Sequence, residues 1–375
     1  MKSVFIHDPA DLQAAIPGGV QLCSQDFLQI VQAASMETRL LAVNVTRAPS
    51  WRLRRQFGLG AYLFYRPSEA RAAFMALAAG FNPTHLFLNR AELIRLAPLA
   101  AKIFPDAQIV VMSHGNQSGD DLYEVAGPGG RRASGLSNLG ATWRIGLNLA
   151  FESHYRHRYL HGVCAMSEEE AVLERWLGAR RVLVLPRVFA CNPLPCVPVP
   201  GRLGYVGTLD HTPNRLALEA VCEELQRQKV NGLELHLAGG PAHIAEALAF
   251  RFPFVRPLGR IDDATLQKEA ATWSLFINPI FWLSRGASMK LALALGWGLP
   301  VITSRSGARG YEWHDGSPSL TEDNAEAFVR QTIGLLNSST QLAELRAACA
   351  RAANSSPRIP ELAQRLQTTF PVRQR

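Results

Sequence analysis

The 375 residues contain no uncharged hydrophobic run near the ~20 needed to cross a bilayer as a helix. No cleavable leader is expected from the first residues. Met1-Lys2-Ser3-Val4-Phe5-Ile6-His7-Asp8 has a lysine but no apolar core of about 7–15 residues behind it, and reads as a short strand. Cysteines number six and are scattered; the closest pair, Cys191 and Cys196, lies in a proline-rich stretch, and there is no CxxC. That excludes a disulfide framework and a zinc module, and predicts a reducing, cytoplasmic setting. No DxD motif is present; Asp120-Asp121 and Asp262-Asp263 are adjacent pairs, read as solvated turns or helix starts. No RNA-binding aromatic motif or zinc-finger spacing occurs, so no nucleic-acid partner is expected.

What is present suits a globular chain. A 47% hydrophobic, 19% charged composition supplies material for two cores, and the length predicts two domains. The net charge of +8 favours anions at long range: a nucleotide or an anionic membrane face, beyond ordinary surface charge. Arg52, Arg54 and Arg55 beside Trp51, Leu53 and Phe57 suit peripheral contact with such a membrane face.

Short β-rich runs alternate with helical patterns. Strands are expected at 40–45, 62–65, 85–88, 108–112, 162–165 and 181–185, with helices such as 68–79 and 91–104 between them. Pro186, Pro193, Pro195, Pro198 and Pro200 then break the rhythm. A second series follows, with strands at 203–206, 233–237, 254–255, 275–277 and 300–303 and helices at 214–227 and 241–250. The expectation is an α/β chain of two Rossmann-like, doubly wound domains facing a cleft. They span 1–188 and 202–355, joined by a linker at 189–201. Residues 356–375 form a C-terminal helix crossing back to the first domain.

The chemistry concentrates at strand ends of the second half. Arg285-Gly286-Ala287-Ser288 is a small-residue turn opening a helix, with Met289 and Lys290 in its first turn. Free N–H groups and the positive end of the dipole favour an anion there, and Lys290 can aim its ammonium at the same place. Gly207-Thr208-Leu209, Gly239-Gly240 and Gly259-Arg260-Ile261 close three further strands with small turns. Four such ends in one half predict a nucleotide site.

In order, the strand with Gly207-Thr208-Leu209, the helix opening at Pro213-Asn214, Gly239-Gly240-Pro241 and Gly259-Arg260-Ile261-Asp262-Asp263 resemble the donor domain of GT-B glycosyltransferases. Asn278-Pro279, the turn before Lys290, and Gly298-Leu299-Pro300-Val301-Ile302-Thr303 continue the likeness, which is strongest to the large retaining family 4 and its bacterial relatives. Pro17-Gly18-Gly19, Met112-Ser113-His114-Gly115 and Ala165-Met166-Ser167-Glu168 resemble the acceptor domain more weakly.

The resemblance implies transfer of a sugar from a nucleotide-sugar donor to a glycan, lipid-linked or protein acceptor, with retention and without a metal or other cofactor, in polysaccharide biosynthesis. Gly207, Thr208, Leu209, Gly239, Gly259, Arg260, Ile261, Arg285, Gly286, Ser288, Met289 and Lys290 then line the donor. Gly18 and Gly19 lie on the acceptor side. The family's two glutamates, eight positions apart, are replaced here by Arg285 and Leu293, and its phosphate-gripping arginine by Thr208. Arg285 and Lys290 are expected to share the diphosphate, and a uronic acid is an alternative partner for Arg285.

His114, at a strand's carboxyl edge, is the candidate catalytic residue, touching the sugar or handling a proton. His154, His157 and His161, around Tyr155-Arg156-His157-Arg158-Tyr159, read as a surface or acceptor-side face. Two other functions stay open: a GT-B protein that has lost turnover and binds sugar nucleotides as a partner subunit, and a hydrolysing sugar-nucleotide epimerase.

Overall fold

In the computed structural model, the described residues are 1–13, 18–57, 60–126, 136–189, 191–282 and 286–373; the side chains of 55–57, 124 and 136–138 are outside them. Contacts divide the chain into two units. The first comprises the described parts of Met1–Ala126, Arg131–Pro186 and Pro357–Arg375, and the second Arg187–Ser356.

The first unit is built on six parallel strands: β1 (Lys2–His7), β2 (Glu37–Ala42), β3 (His85–Asn89), β4 (Gln108–Met112), β5 (Gly162–Ala165) and β6 (Val182–Val184). Their order is β2-β1-β3-β4-β5-β6. Every residue of β3, β4 and β5 is buried, which is why their sequences are apolar without alternation. The helices are α1 (Gly19–Ala33), α2 (Pro49–Phe57), α3 (Pro67–Gly80), α4 (Ala97–Ile103), α5 (Gln117–Ala126), α6 (Leu136–Arg158) and α7 (Glu168–Trp176). The strand expected at 62–65 is absent: Gly60–Leu63 is a 3₁₀ turn. Tyr62 and Tyr65 are both buried, and their three-residue spacing matches the short period of such a turn better than a strand's alternation.

The second unit repeats the plan. It contains β7 (Arg202–Val206), α8 (Thr212–Arg227), β8 (Glu234–Ala238), α9 (Ala242–Arg251), β9 (Val255–Gly259) and α10 (Asp263–Ala270). There follow β10 (Leu275–Asn278), α11 (Met289–Gly296), β11 (Val301–Ser304), β12 (Ser319–Thr321), α12 (Ala325–Leu336) and α13 (Ser339–Asn354). The sheet runs β12-β11-β10-β7-β8-β9, all pairings parallel. The three-residue β12 escaped the sequence reading because it is too short to show a period. The proline-rich stretch is neither helix nor strand where described, yet it is tied to this unit: Asn192 N donates to Gly296 O at 2.7 Å and Val197 N to Ala271 O at 2.8 Å.

The last helix, α14 (Ile359–Thr369), packs on α1 of the first unit. Phe370 behind it is fully buried against Gly162, where an added Cβ would lie 2.2 Å from the phenylalanine ring. The Phe370 carbonyl accepts from His85 Nε2 at 3.0 Å, and burial pulls that imidazole down to about 4. Among the described residues no helix is long and apolar enough to cross a membrane.

Candidate functional site

At the carboxyl edge of the second sheet, three glycine turns are hydrogen-bonded in a row. Gly207 N donates to Ala238 O at 2.9 Å, Gly239 N to Gly259 O at 2.8 Å, and Leu209 N to Gly240 O at 2.7 Å. Gly239 has φ of 133°, and a Cβ there would stand 1.9 Å from the Gly207 carbonyl oxygen, so no side chain fits without parting the two turns. Arg260 is exposed and lies along Gly240, with Ile261 half-buried beside it. The Leu209 side chain is fully buried in the core, so the residue has only its backbone to offer a ligand.

The next strand end carries the charge. Ser288 stands at the cap position of α11 but makes no side-chain cap; its hydroxyl donates to Asn278 Oδ1 at 3.1 Å instead. Lys290 Nζ donates to Tyr205 OH at 2.8 Å and to Asn214 Oδ1 at 2.6 Å. Asn214 turns its oxygen to the lysine because its Nδ2 is bonded to Thr208 O at 2.8 Å. A chain Thr208–Asn214–Lys290 thus links the first glycine turn to α11. Among the described residues no carboxylate pairs with Lys290, and loss of water around the ammonium pulls it down to about 7.

Two arginines join it. Arg187, buried, places its guanidinium against the Met289 sulfur, and Arg309 Nη2 donates to Gly286 O at 3.5 Å. The Tyr311 hydroxyl bonds the Ser288 carbonyl. Sequence reasoning reached Lys290, Gly286, Ser288 and Met289, which the fold does bring together. It missed Arg187 and Arg309, which reach this turn from distant parts of the chain with no local signature. Asn214 stood in a quoted motif and Tyr205 in an expected strand, neither with a role. Arg285 lies outside the described residues.

The first unit's edge is differently made. His114 is buried, edge-on to Phe27 at 5.3 Å, and its Nε2 lies 3.2 Å from Asn89 Oδ1. Asn89 Nδ2 donates to Asp11 Oδ2 at 3.1 Å and Ser24 Oγ at 2.9 Å, which fixes its oxygen toward the imidazole. Nε2 therefore carries the proton, and in the neutral ring Nδ1 is the basic nitrogen. Arg90, at φ 92°, pairs with Asp11 at 2.9 Å and Glu92 at 3.2 Å.

The loop after His114 is fastened from below. Asn116 Oδ1 accepts from the fully buried Arg156, which pairs with Glu174 and donates to Glu152 O at 3.0 Å. The Glu152 carboxylate accepts from Tyr62 OH and Ser118 Oγ, each at 2.5 Å, and burial raises its pKa. Arg156 is thus a buried scaffold residue, whereas the 155–159 stretch was read as a surface or acceptor-side face.

Asp121, expected in a solvated turn or helix start, is buried and accepts from Asn148 Nδ2 at 2.6 Å. Asp262 does cap α10, accepting from Thr265 N at 2.9 Å. Gly18 is the cap residue of α1, its N–H bonded to Gln21 Oε1 at 3.0 Å; Pro17 lies outside the described residues. His154 and His157 are exposed, while His161 Nδ1 accepts from Ile109 N at 2.9 Å and burial pulls it to about 4. Among the described residues no group of three His, Cys, Asp or Glu side chains could hold a metal.

Two parallel six-stranded sheets in separate units, glycine turns along the second edge and a final helix belonging to the first unit make a GT-B fold. Residues 200–338 match the family model Glycosyl transferases group 1. The chain superposes on Anabaena Alr3699/HepE in complex with UDP-glucose with a TM-score of 0.65, at 14% identity and 99% coverage of both chains. Sucrose-phosphate synthase from Thermosynechococcus elongatus gives 0.64 at 17% identity, covering 99% of this chain and 95% of that one. The lipopolysaccharide outer core galactosyltransferase WaaB gives 0.62 at 14% identity, with 99% of both chains covered. No curated protein sequence matches.

Proposed function

We propose that this protein is a glycosyltransferase that takes a sugar from a nucleoside diphosphate donor. The observation that carries this is Lys290: a desolvated ammonium at an uncapped helix start, held by two neutral oxygens and by no carboxylate among the described residues. A diphosphate supplies the missing anion. As the glycosidic bond breaks, charge develops on the leaving diphosphate, and Lys290, Arg187, Arg309 and the α11 N-terminus are preorganised to stabilise it. These cations do the work a metal would otherwise do. His114 serves a sugar hydroxyl or an acceptor proton. The turn at Gly259, Arg260 and Ile261 serves the base. Retention follows the family likeness, and UDP-glucose bound to HepE makes uridine the first nucleotide to try. The setting is cytoplasmic, with α2 resting on an anionic membrane face.

A second reading, binding without turnover, is favoured by Arg285 and Leu293 standing in place of the family's glutamates. A panel of nucleotide sugars separates the two. Binding raises the melting temperature by mass action, and turnover releases nucleoside diphosphate. Thermal shifts with no release from any donor, with or without acceptors, overturn the enzyme reading. No shift with any nucleotide sugar overturns both.

A further inference from the structure

Apart from the donor machinery, one cation of the first unit is solved differently from its neighbours. Buried Arg156 has Glu174, and Arg90 has Asp11 and Glu92. Arg95, half-buried in the 3₁₀ turn Ala91–Leu96, makes no ion pair or hydrogen bond among the described residues. Its guanidinium lies instead 4.7 Å from the Trp51 ring centre and 5.9 Å from that of Phe151. Aromatic faces stabilise a cation but leave the N–H edge of a guanidinium unused. The charges felt there are Tyr155 and a second cation, Arg54; burial first, then Arg54, holds Arg95 below its ordinary pKa. Arg54 is exposed and, like Arg52, forms no ion pair among the described residues.

The place is also telling. α2 follows β2, the Arg95 turn follows β3, and α6 is tied to the start of α5, which follows β4, through Glu152 and Ser118. The first two leave the carboxyl edge of one sheet, where such sheets bind ligands, and α6 passes that edge at Glu152 on its way to β5. From Phe151 an apolar stripe runs back along α6 at four-residue intervals through Leu147, Trp143 and Leu139. The last two are each 67% exposed. Residues four apart share a helix face, and twelve residues span about 18 Å. Leu53 on α2 adds a further exposed apolar side chain.

A cation with unused donors at one end and an open apolar stripe at the other match a molecule with a phosphate head and a hydrocarbon chain. We propose that this surface binds a phosphate-bearing lipid as a single molecule, its phosphate on Arg95 and Arg54 and its chain along Phe151–Leu147–Trp143–Leu139. This lipid carries the sugar acceptor. That last clause rests on the glycosyltransferase reading; the binding itself does not.

The test uses the full chain and short-chain phosphatidic acid below its micelle concentration, followed by calorimetry. Expected are saturable binding to the wild type, none of the matching phosphate-free diacylglycerol, and loss of at least tenfold in Arg95→Gln. Arg54→Gln, an exposed position that leaves the fold intact, loses about threefold. Leu147→Ser, one helical turn from Phe151 and within reach of a short acyl chain, weakens phosphatidic acid alone. UDP-glucose affinity, measured on the same samples, stays unchanged in every variant. Wild-type affinity in both arginine variants overturns the site. Equal affinity for inorganic phosphate overturns the lipid part, and binding only to phosphatidylglycerol vesicles shows a membrane surface and overturns the single-molecule site. Lipid binding without any UDP-glucose binding removes the acceptor role and the donor reading while leaving the lipid site standing.

Discussion

The two sheet edges solve opposite problems on six parallel strands each, wound in different orders. At the first, buried charge is neutralised where it stands: Arg156 on Glu174, Arg90 on Asp11 and Glu92, Glu152 under Tyr62 and Ser118. At the second, glycine turns bring backbone close and, among the described residues, the lysine's hydrogen-bond partners are neutral oxygens. A satisfied network fixes geometry, here the loop bearing His114. An unsatisfied cation raises the energy of the empty state and is relieved by an anion. One edge is a frame, the other a socket.

Breaking the frame should cost most. Arg156→Leu strands Glu174 in the interior, so the first unit should lose about 3–5 kcal/mol in denaturant unfolding. A loss under about 1 kcal/mol would mean that water reaches the pair and the frame is looser than drawn.

Breaking the socket should have a different signature. Lys290→Met removes a desolvated charge, so the nucleotide-free protein should melt at the same temperature or higher, while UDP-glucose affinity falls tenfold or more, at least 1.4 kcal/mol. Lys268→Ala, on the exposed side of α10, should change neither. A structural lysine would show the reverse, with lost stability and unchanged affinity.

The socket should also titrate. Lys290 lies near 7 in the empty protein and rises when an anion arrives. UDP-glucose affinity should therefore fall as pH rises above about 7, with proton uptake on binding, read from calorimetry in buffers of different ionisation heat. In the empty protein, the unfolded chain binds the extra proton between about 7 and the ordinary lysine value of 10.5, so this group makes stability rise with pH across that window. Flat affinity across it would assign the diphosphate to the arginines.

The smallest effect belongs to the imidazoles behind the frame. His85 and His161 are held near 4 against an ordinary 6.5. Their contribution is present above about 6.5 and is lost as pH falls toward 4, because the unfolded chain takes up protons the native state refuses. His85→Gln should shift the acid unfolding midpoint slightly downward. An unchanged midpoint would place acid sensitivity elsewhere, in His161 or in carboxylates held below their ordinary pKa such as Asp262.

The socket was largely legible in sequence because it is local. Strand, glycine turn and helix start are contiguous, and Gly207, Gly239, Gly259 and Lys290 each announce themselves within a few residues. The frame was not. Glu174 is eighteen residues from Arg156, Asn116 forty, and Tyr62 ninety from Glu152. A buried arginine inside Tyr155-Arg156-His157-Arg158-Tyr159 looks like surface until the partner that neutralises it is placed. Tyr62 was misread as strand because four apolar residues have no distinguishable period. Arg187 and Arg309 failed for the same reason as the frame: their meeting with α11 is made by the fold alone.

The clasp of Phe370 on Gly162 and His85 sets an order of events during synthesis. The hydrogen bond between His85 and Phe370 spans 285 positions, and all of the second unit lies between its ends. The described part of that second unit, within Arg187–Ser356, lies in one stretch of the chain and can fold as it emerges from the ribosome. The first, begun earlier, waits for α14 with the space beside Gly162 unfilled. The unit made first is thus finished last, and in that interval its sheet edge at β5 and β6 is exposed to chaperones and to neighbouring nascent chains.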